Sequence, residues 1–149
     1  MADQSFFSGR EHVIDAYGCS PSALRSKTTI QRLVARVLDE MQLRVVGEPV
    51  WHVFPEPGGL TGFVLLAESH LSVHTFPEHR YAALNLYCCR QTPVWDWEAG
   101  LSDLLGAEKV IVRTVVRGGT PPADFRTLGM ARFGVLTYSA GSAIVRRKT

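Results

Sequence analysis

The spacing of apolar positions changes several times along this chain, and each change marks an element. Residues 1–10 are polar and read as loose; His12, Val13, Ile14, Asp15, Ala16 and Tyr17 then predict a first short strand, closed by a turn at Gly18-Cys19-Ser20-Pro21. Ile30, Leu33, Val34, Val37, Leu38 and Met41 recur at three- and four-residue intervals, the stripe of an amphipathic helix, with Thr28 and Gln31 as a capping box at its start. Residues 44–54 are rich in valine and aromatics and predict a strand, which Pro49 assigns to an edge or a bulge. Pro55-Glu56-Pro57-Gly58-Gly59 is a turn, residues 60–67 a strongly apolar strand, and residues 70–75 extended chain after a bend. Residues 81–89 alternate, with Leu84, Leu86 and Cys88 on one face and Ala83, Asn85, Tyr87 and Cys89 on the other. Thr92-Pro93 opens a second helix that Gly106 ends, residues 109–116 form a last strand, and residues 118–149 are an extension with no assigned role. This order predicts an α+β fold, a two-layer sandwich in one domain over residues 1–149, with a largely antiparallel sheet and helices packed on one face.

Composition narrows the function. A chain of 149 residues holds one domain with a substantial core. A net charge of +2 with scattered basic residues argues against nucleic acid as a partner, and Arg146-Arg147-Lys148 reads as a solvated tail. No apolar run reaches membrane-span length, so no membrane is expected as a partner and the expected location is cytoplasmic. Cys19, Cys88 and Cys89 are an odd count with two adjacent, a poor disulfide framework that suits a reducing compartment.

The chemistry concentrates in Glu68-Ser69-His70-Leu71-Ser72-Val73-His74-Thr75-Phe76-Pro77-Glu78. A core strand has no use for two serines, two histidines and two glutamates so close together. With Thr61-Gly62 before it and Tyr81-Ala82-Ala83 and Cys88-Cys89 after it, the stretch resembles, without a gap, the self-cleavage region of the prokaryotic S-adenosylmethionine decarboxylases. The resemblance runs from about Gly9 to Arg117 and is dense from Thr61 to Cys89.

That resemblance implies a proenzyme cut between Glu68 and Ser69 into chains 1–68 and 69–149, with Ser69 converted into a pyruvoyl cofactor that condenses with the substrate amine. It implies His74 as the processing base, Thr61 where the family has a serine that assists processing, and Cys89 as the proton donor in turnover. Glu78 aligns with the family glutamate that holds the ribose hydroxyls, and Phe76, with Phe54 from the upstream strand, would supply an aromatic platform for adenine. The family also implies a homodimer of cleaved protomers with residues of both subunits at each site. Residues five apart on a regular strand face opposite ways and lie roughly 16 Å apart, so His74 reaches Ser69 only if the chain bends or is strained near the cleavage point.

This chain departs from the pattern at Phe76 for tryptophan, His79-Arg80 for Tyr-Gly, Asn85 for aspartate and Arg90 for glycine. Added basic character is an odd surround for a sulfonium substrate, which keeps open a pyruvoyl decarboxylase of ornithine or arginine on the same fold. Two further alternatives are an inactive paralogue acting as a binding partner and a zinc module on His70, His74, Cys88 and Cys89. The spacing of the last set is poor for a tetrahedral metal. His70 reads either as an assistant to Ser69 or as a packed neutral histidine.

Overall fold

The computed structural model describes residues 7–119, 136–139 and 142–145. The chain divides into units 1–119 and 120–149. In the first, β1 (Phe7–Tyr17) leads through α1 (Pro21–Arg25) and α2 (Lys27–Glu40) to β2 (Val50–Val53), β3 (Leu60–Leu66) and β4 (Ser69–Phe76). A single 3-10 turn (Pro77–His79), β5 (Tyr81–Cys88), α3 (Trp97–Leu105) and β6 (Lys109–Gly118) complete it. The strands form one sheet in the order β2-β3-β4-β5-β1-β6, with antiparallel neighbours throughout. In the second unit, β7 (Leu136–Ser139) pairs antiparallel with β8 (Ser142–Val145). Most of the predicted extension lies outside the described residues.

Alternation builds the sandwich. Val64 and Leu66 of β3, Leu71 and Val73 of β4, Leu84, Leu86 and Cys88 of β5, and Ile14 and Ala16 of β1 are all buried on one face. Against them lie Ile30, Leu33, Val34 and Val37 of α2 and Trp97, Leu101 and Leu105 of α3. The intervening residues turn to the open face. Thr75 is the one polar side chain of β4 sent into the core. It is satisfied there, donating to the Leu24 carbonyl at 2.9 Å and accepting from the Leu60 amide at 2.9 Å, so it ties α1 to the β3–β4 pair.

Several boundaries differ from the sequence reading. β1 begins at Phe7, because the chain from there pairs with β6. The predicted turn at residues 18–21 runs on into the short α1, capped by Ser20. The Thr28–Gln31 box does not form. Ser26 caps α2 by accepting from the Thr29 amide at 3.2 Å, two residues ahead of the predicted cap. Of residues 44–54 only Val50–Val53 is strand, and it is an edge strand, as Pro49 suggested. α3 starts at Trp97 under an Asp96 cap, not at Thr92-Pro93, and Gly106 ends it in the left-handed conformation as expected.

Arg80 also sits in the left-handed region, at φ +49° and ψ +41°, where the resemblance pattern has glycine. The strain is offset by contacts. Its guanidinium donates to the Gly18 carbonyl at 2.8 Å, the Cys19 carbonyl at 3.2 Å and the Glu108 carboxylate at 2.9 Å, closing the turn before β5 onto the end of β1. Arg80→Ala keeps the strain and loses the bonds, whereas Arg80→Gly loses the bonds but relieves the strain. The glycine variant is therefore expected to be about 1 kcal/mol more stable than the alanine variant in urea titrations. Equal midpoints would remove the strain argument.

Candidate active site

β3 and β4 form a hairpin with a two-residue turn, Ala67-Glu68, between the paired residues Leu66 and Ser69. Ser69 opens β4 at φ +146°, a region that residues with a side chain rarely occupy. It is held from both sides, opposite Leu66 on β3 and opposite Cys88 on β5. The carbonyl of Glu68, on the peptide bond joining it to Ser69, accepts the Cys89 amide at 2.8 Å.

The Glu68 side chain is only 2% exposed. One carboxylate oxygen accepts the Arg44 amide at 3.0 Å; the other accepts Arg90 Nε at 3.3 Å, Arg90 Nη2 at 3.2 Å and Arg44 Nε at 3.4 Å. Burial alone would raise the pKa of this carboxyl. The Arg44 amide and the two guanidiniums outweigh burial and hold it below the ordinary carboxylate value, so Glu68 stays ionised.

Cys88 points into the core and Cys89 is exposed, as the alternation predicted. Desolvation pushes the Cys88 thiol up to about 11, with the Glu68 charge adding to the effect. A thiol so placed is inert at neutral pH, which leaves Cys89 as the accessible sulfur at the turn.

The remaining predicted residues gather at the opposite end of the same strands. Thr61 and His74 face each other across β3 and β4, with Thr61 Oγ1 2.9 Å from His74 Nδ1. Beside them Phe54, Phe76 and Glu78, with Pro55, Glu56, Pro57 and Gly59, line a cleft of about 470 Å³. Arg25 of α1 fixes its rim by donating to the Pro57 carbonyl at 2.7 Å. The bend and the strain expected near the cleavage point are both present, as the Ala67-Glu68 turn and the positive φ of Ser69, but they do not bring His74 to Ser69. The turn falls before Ser69, β4 runs as a strand from Ser69 to Phe76, and Ser69 and His74 stand roughly 16 Å apart along it. Within one chain the structure thus gathers the predicted residues into two separate clusters, one with Glu68, Ser69 and Cys89, the other with Thr61, His74, Phe54, Phe76 and Glu78.

His70 takes the packed role, its ring 5.7 Å from Phe63 and 6.1 Å from Tyr87 on the open face. The zinc alternative fails on geometry. Cys88 is in the core while His70 and His74 are on the open face, and among the described residues no three metal-ligating side chains converge. Sequence reasoning missed the Cys89 amide, which has no residue-type signature, and the role of Arg44. It noticed Arg90 only as a departure. It also missed an open-face network in which Tyr81 and Arg113 donate to Asp15, and Asn85 and Arg117 to Glu11.

Residues 10–118 match the family model described as S-adenosylmethionine decarboxylase. The chain belongs to this family. It is 32% identical over 115 residues to the S-adenosylmethionine decarboxylase proenzyme of Caldicellulosiruptor saccharolyticus, covering 74% of this chain and 88% of the relative. It is 36% identical over 84 residues to the proenzyme of Archaeoglobus fulgidus, covering 56% and 73%. The crystal structure of the adenosylmethionine decarboxylase from Aquifex aeolicus VF5 superposes with a TM-score of 0.62 at 26% identity, covering 75% of this chain and 92% of that one. The α+β sandwich is thus the fold of the family.

Thiol reactivity in this family member should follow the two cysteine environments. Native protein treated with iodoacetamide is expected to take one label, at Cys89, and denatured protein three; native labelling of Cys88 would contradict its placement. Because the folded-state pKa of Cys88 lies above its ordinary 9.0, its contribution to stability is complete below about 9 and is lost as pH rises towards 11, since the unfolded chain ionises first. Cys88→Ala should flatten that part of the alkaline unfolding curve.

Proposed function

We propose that this chain is a self-processing proenzyme that cleaves between Glu68 and Ser69 and, with the pyruvoyl group so formed, decarboxylates S-adenosylmethionine to the aminopropyl donor of spermidine synthesis. The observation that carries the reading is the geometry of the Glu68–Ser69 peptide: a strained serine follows a carbonyl already accepting a fixed amide. The three cysteines, all without a disulfide, suit a cytoplasmic setting.

Processing begins when Ser69 Oγ adds to the Glu68 carbonyl carbon. The peptide C–N bond breaks, an ester forms and the Ser69 amine is freed. Negative charge developing on the carbonyl oxygen meets the Cys89 N–H, a donor that needs no reorganisation. Relief of the unfavourable φ at Ser69 favours the same step. A base then removes the Ser69 α-proton, a Cα–Cβ double bond forms, and the Cβ–Oγ bond breaks to release Glu68 as a carboxylate. Tautomerisation and hydrolysis liberate ammonia and leave a pyruvoyl group at the head of chain 69–149. Its carbonyl supplies the electron sink for the carbanion left when carbon dioxide departs. Cys89, exposed at the same turn, is the proton donor for that carbon.

The base is His74, oriented by Thr61, and it comes from a second copy of the chain. A separation of roughly 16 Å excludes proton transfer between His74 and Ser69 of one chain without rebuilding β4. A homodimer joining the Ser69 end of one protomer to the Thr61–His74 cleft of the other makes two complete sites. In each, Phe54, Phe76 and Glu78 of the cleft receive the nucleoside part of the substrate.

Intact mass of the reduced protein is the direct test. Two fragments meeting at Glu68 and Ser69, the larger with a pyruvoyl N-terminus, are expected, and Ser69→Ala should give one uncleaved chain. Co-expression of differently tagged Ser69→Ala and His74→Ala chains tests the shared site. The His74→Ala chain should remain whole alone and be cleaved beside the Ser69→Ala chain, which lends it His74. Failure to complement would return the site to a single chain.

A further inference from the structure

We propose that Arg90 is a positioning residue for self-cleavage: its guanidinium, forked onto the buried Glu68 carboxylate, sets the scissile peptide against the Cys89 amide and holds Ser69 in its strained conformation. The inference rests on the self-processing reading above and assigns a task to a residue that stands where the resemblance pattern has glycine.

Three observations carry it. A side chain 2% exposed cannot keep its charge without partners, and Glu68 has two cationic ones. They are unequal. The Arg44 side chain is 78% exposed and approaches at 3.4 Å, so solvent screens it, and its firmer contribution is its main-chain amide at 3.0 Å. The Arg90 side chain is 42% exposed, reaches one Glu68 oxygen through two nitrogens, and has its own position fixed by Nη2 donating to the Gln42 carbonyl at 2.7 Å and Nη1 to the Gln91 carbonyl at 3.0 Å. Finally, Arg90 directly follows Cys89. The residue that grips the Glu68 side chain and the residue whose amide holds the Glu68 carbonyl are thus neighbours, and the two contacts fix Glu68 at both ends. A strained φ persists only where the surroundings over-determine it, and these contacts supply that constraint one residue before Ser69.

The role differs from ordinary surface pairing. Arg36 bonds Glu40 at 2.7 Å and Asp103 at 3.0 Å, equally good geometry in a place that touches nothing at the turn. Removing Arg36 should leave cleavage unchanged, whereas removing Arg90 frees the Glu68 side chain and lets the scissile peptide relax.

The test follows disappearance of uncleaved full-length chain after a pulse of cell-free synthesis. Arg90→Ala is expected to slow cleavage roughly tenfold or more, within the range that misplacing a reacting group costs. Arg90→Lys should recover part of the rate, and Arg36→Ala should match the wild type. The decisive comparison is made in a Glu68→Gln background, where Arg90→Ala should have no further effect because the carboxylate it grips is gone; a merely structural role would slow both backgrounds alike. Wild-type cleavage with an unimpaired Arg90→Ala variant, or an equal loss in both backgrounds, overturns the inference and leaves the self-processing reading standing. A wild-type chain that never cleaves overturns both.

Discussion

Register is the constraint on which the rest depends. β4 is paired on both sides, with Ser69 opposite Leu66 and Cys88, and His74 opposite Thr61 and Ala83. Because side chains alternate along a strand, a slip of one residue would expose Leu71 and Val73 and bury His70, Ser72 and His74, so the core fixes this alignment firmly. Packing thereby sets the geometry at both ends. At one end the two-residue turn leaves Ser69 no relaxed φ, and the end of β5 delivers the Cys89 amide to the Glu68 carbonyl. At the other, Thr61 and His74 meet as direct cross-strand neighbours.

Strain and charge at the turn are coupled through Glu68. A carboxylate could have been left in water at a hairpin tip at no cost, yet this one is buried and held by four donors from two residues. A buried charge that loses a partner is expensive, so the turn cannot loosen without desolvated charge being exposed or left unpaired. That penalty is what opposes relaxation of Ser69. The fold keeps an unfavourable backbone geometry in place by making the alternative worse.

How much of this could be read from the residues depended on how local the signal was. The α2 stripe, the alternation of residues 81–88, the edge position beside Pro49 and the Gly106 stop are repeated or conformationally restricted patterns, and they were legible. The helix starts were not. Serine and aspartate caps compete with several candidates in sequence, and only the path of the preceding loop chooses among them, as Ser26 and Asp96 illustrate. The Glu68-Ser69 stretch announced itself through residue types, but the contacts that hold it did not. A main-chain donor such as the Cys89 amide has no side-chain signature, and Arg90 and Glu68 are 22 positions apart in the chain. The distance from Ser69 to His74 was available from strand geometry. The turn and the strain that it called for are both present at Ala67-Glu68 and Ser69, and they leave His74 distant along β4.

The basic substitutions that made S-adenosylmethionine look ill-matched to this chain have a different meaning once their partners are known. Arg80 is engaged by Gly18, Cys19 and Glu108, and Arg90 by Glu68, Gln42 and Gln91. Neither lines the cleft of Thr61 and His74. Among the described residues, that cleft is lined by the carboxylates Glu56 and Glu78 and the rings of Phe54 and Phe76, with no lysine or arginine in the lining and Arg25 at the rim, donating to the Pro57 carbonyl. Carboxylates attract a cation, and two phenyl rings offer both a flat face for a heterocycle and an electron-rich surface for positive charge. A linear diamino acid would use the carboxylates but leave the rings without a task. The arginines therefore serve the fold and the Ala67-Glu68 turn, and the cleft has a character that suits a nucleoside sulfonium.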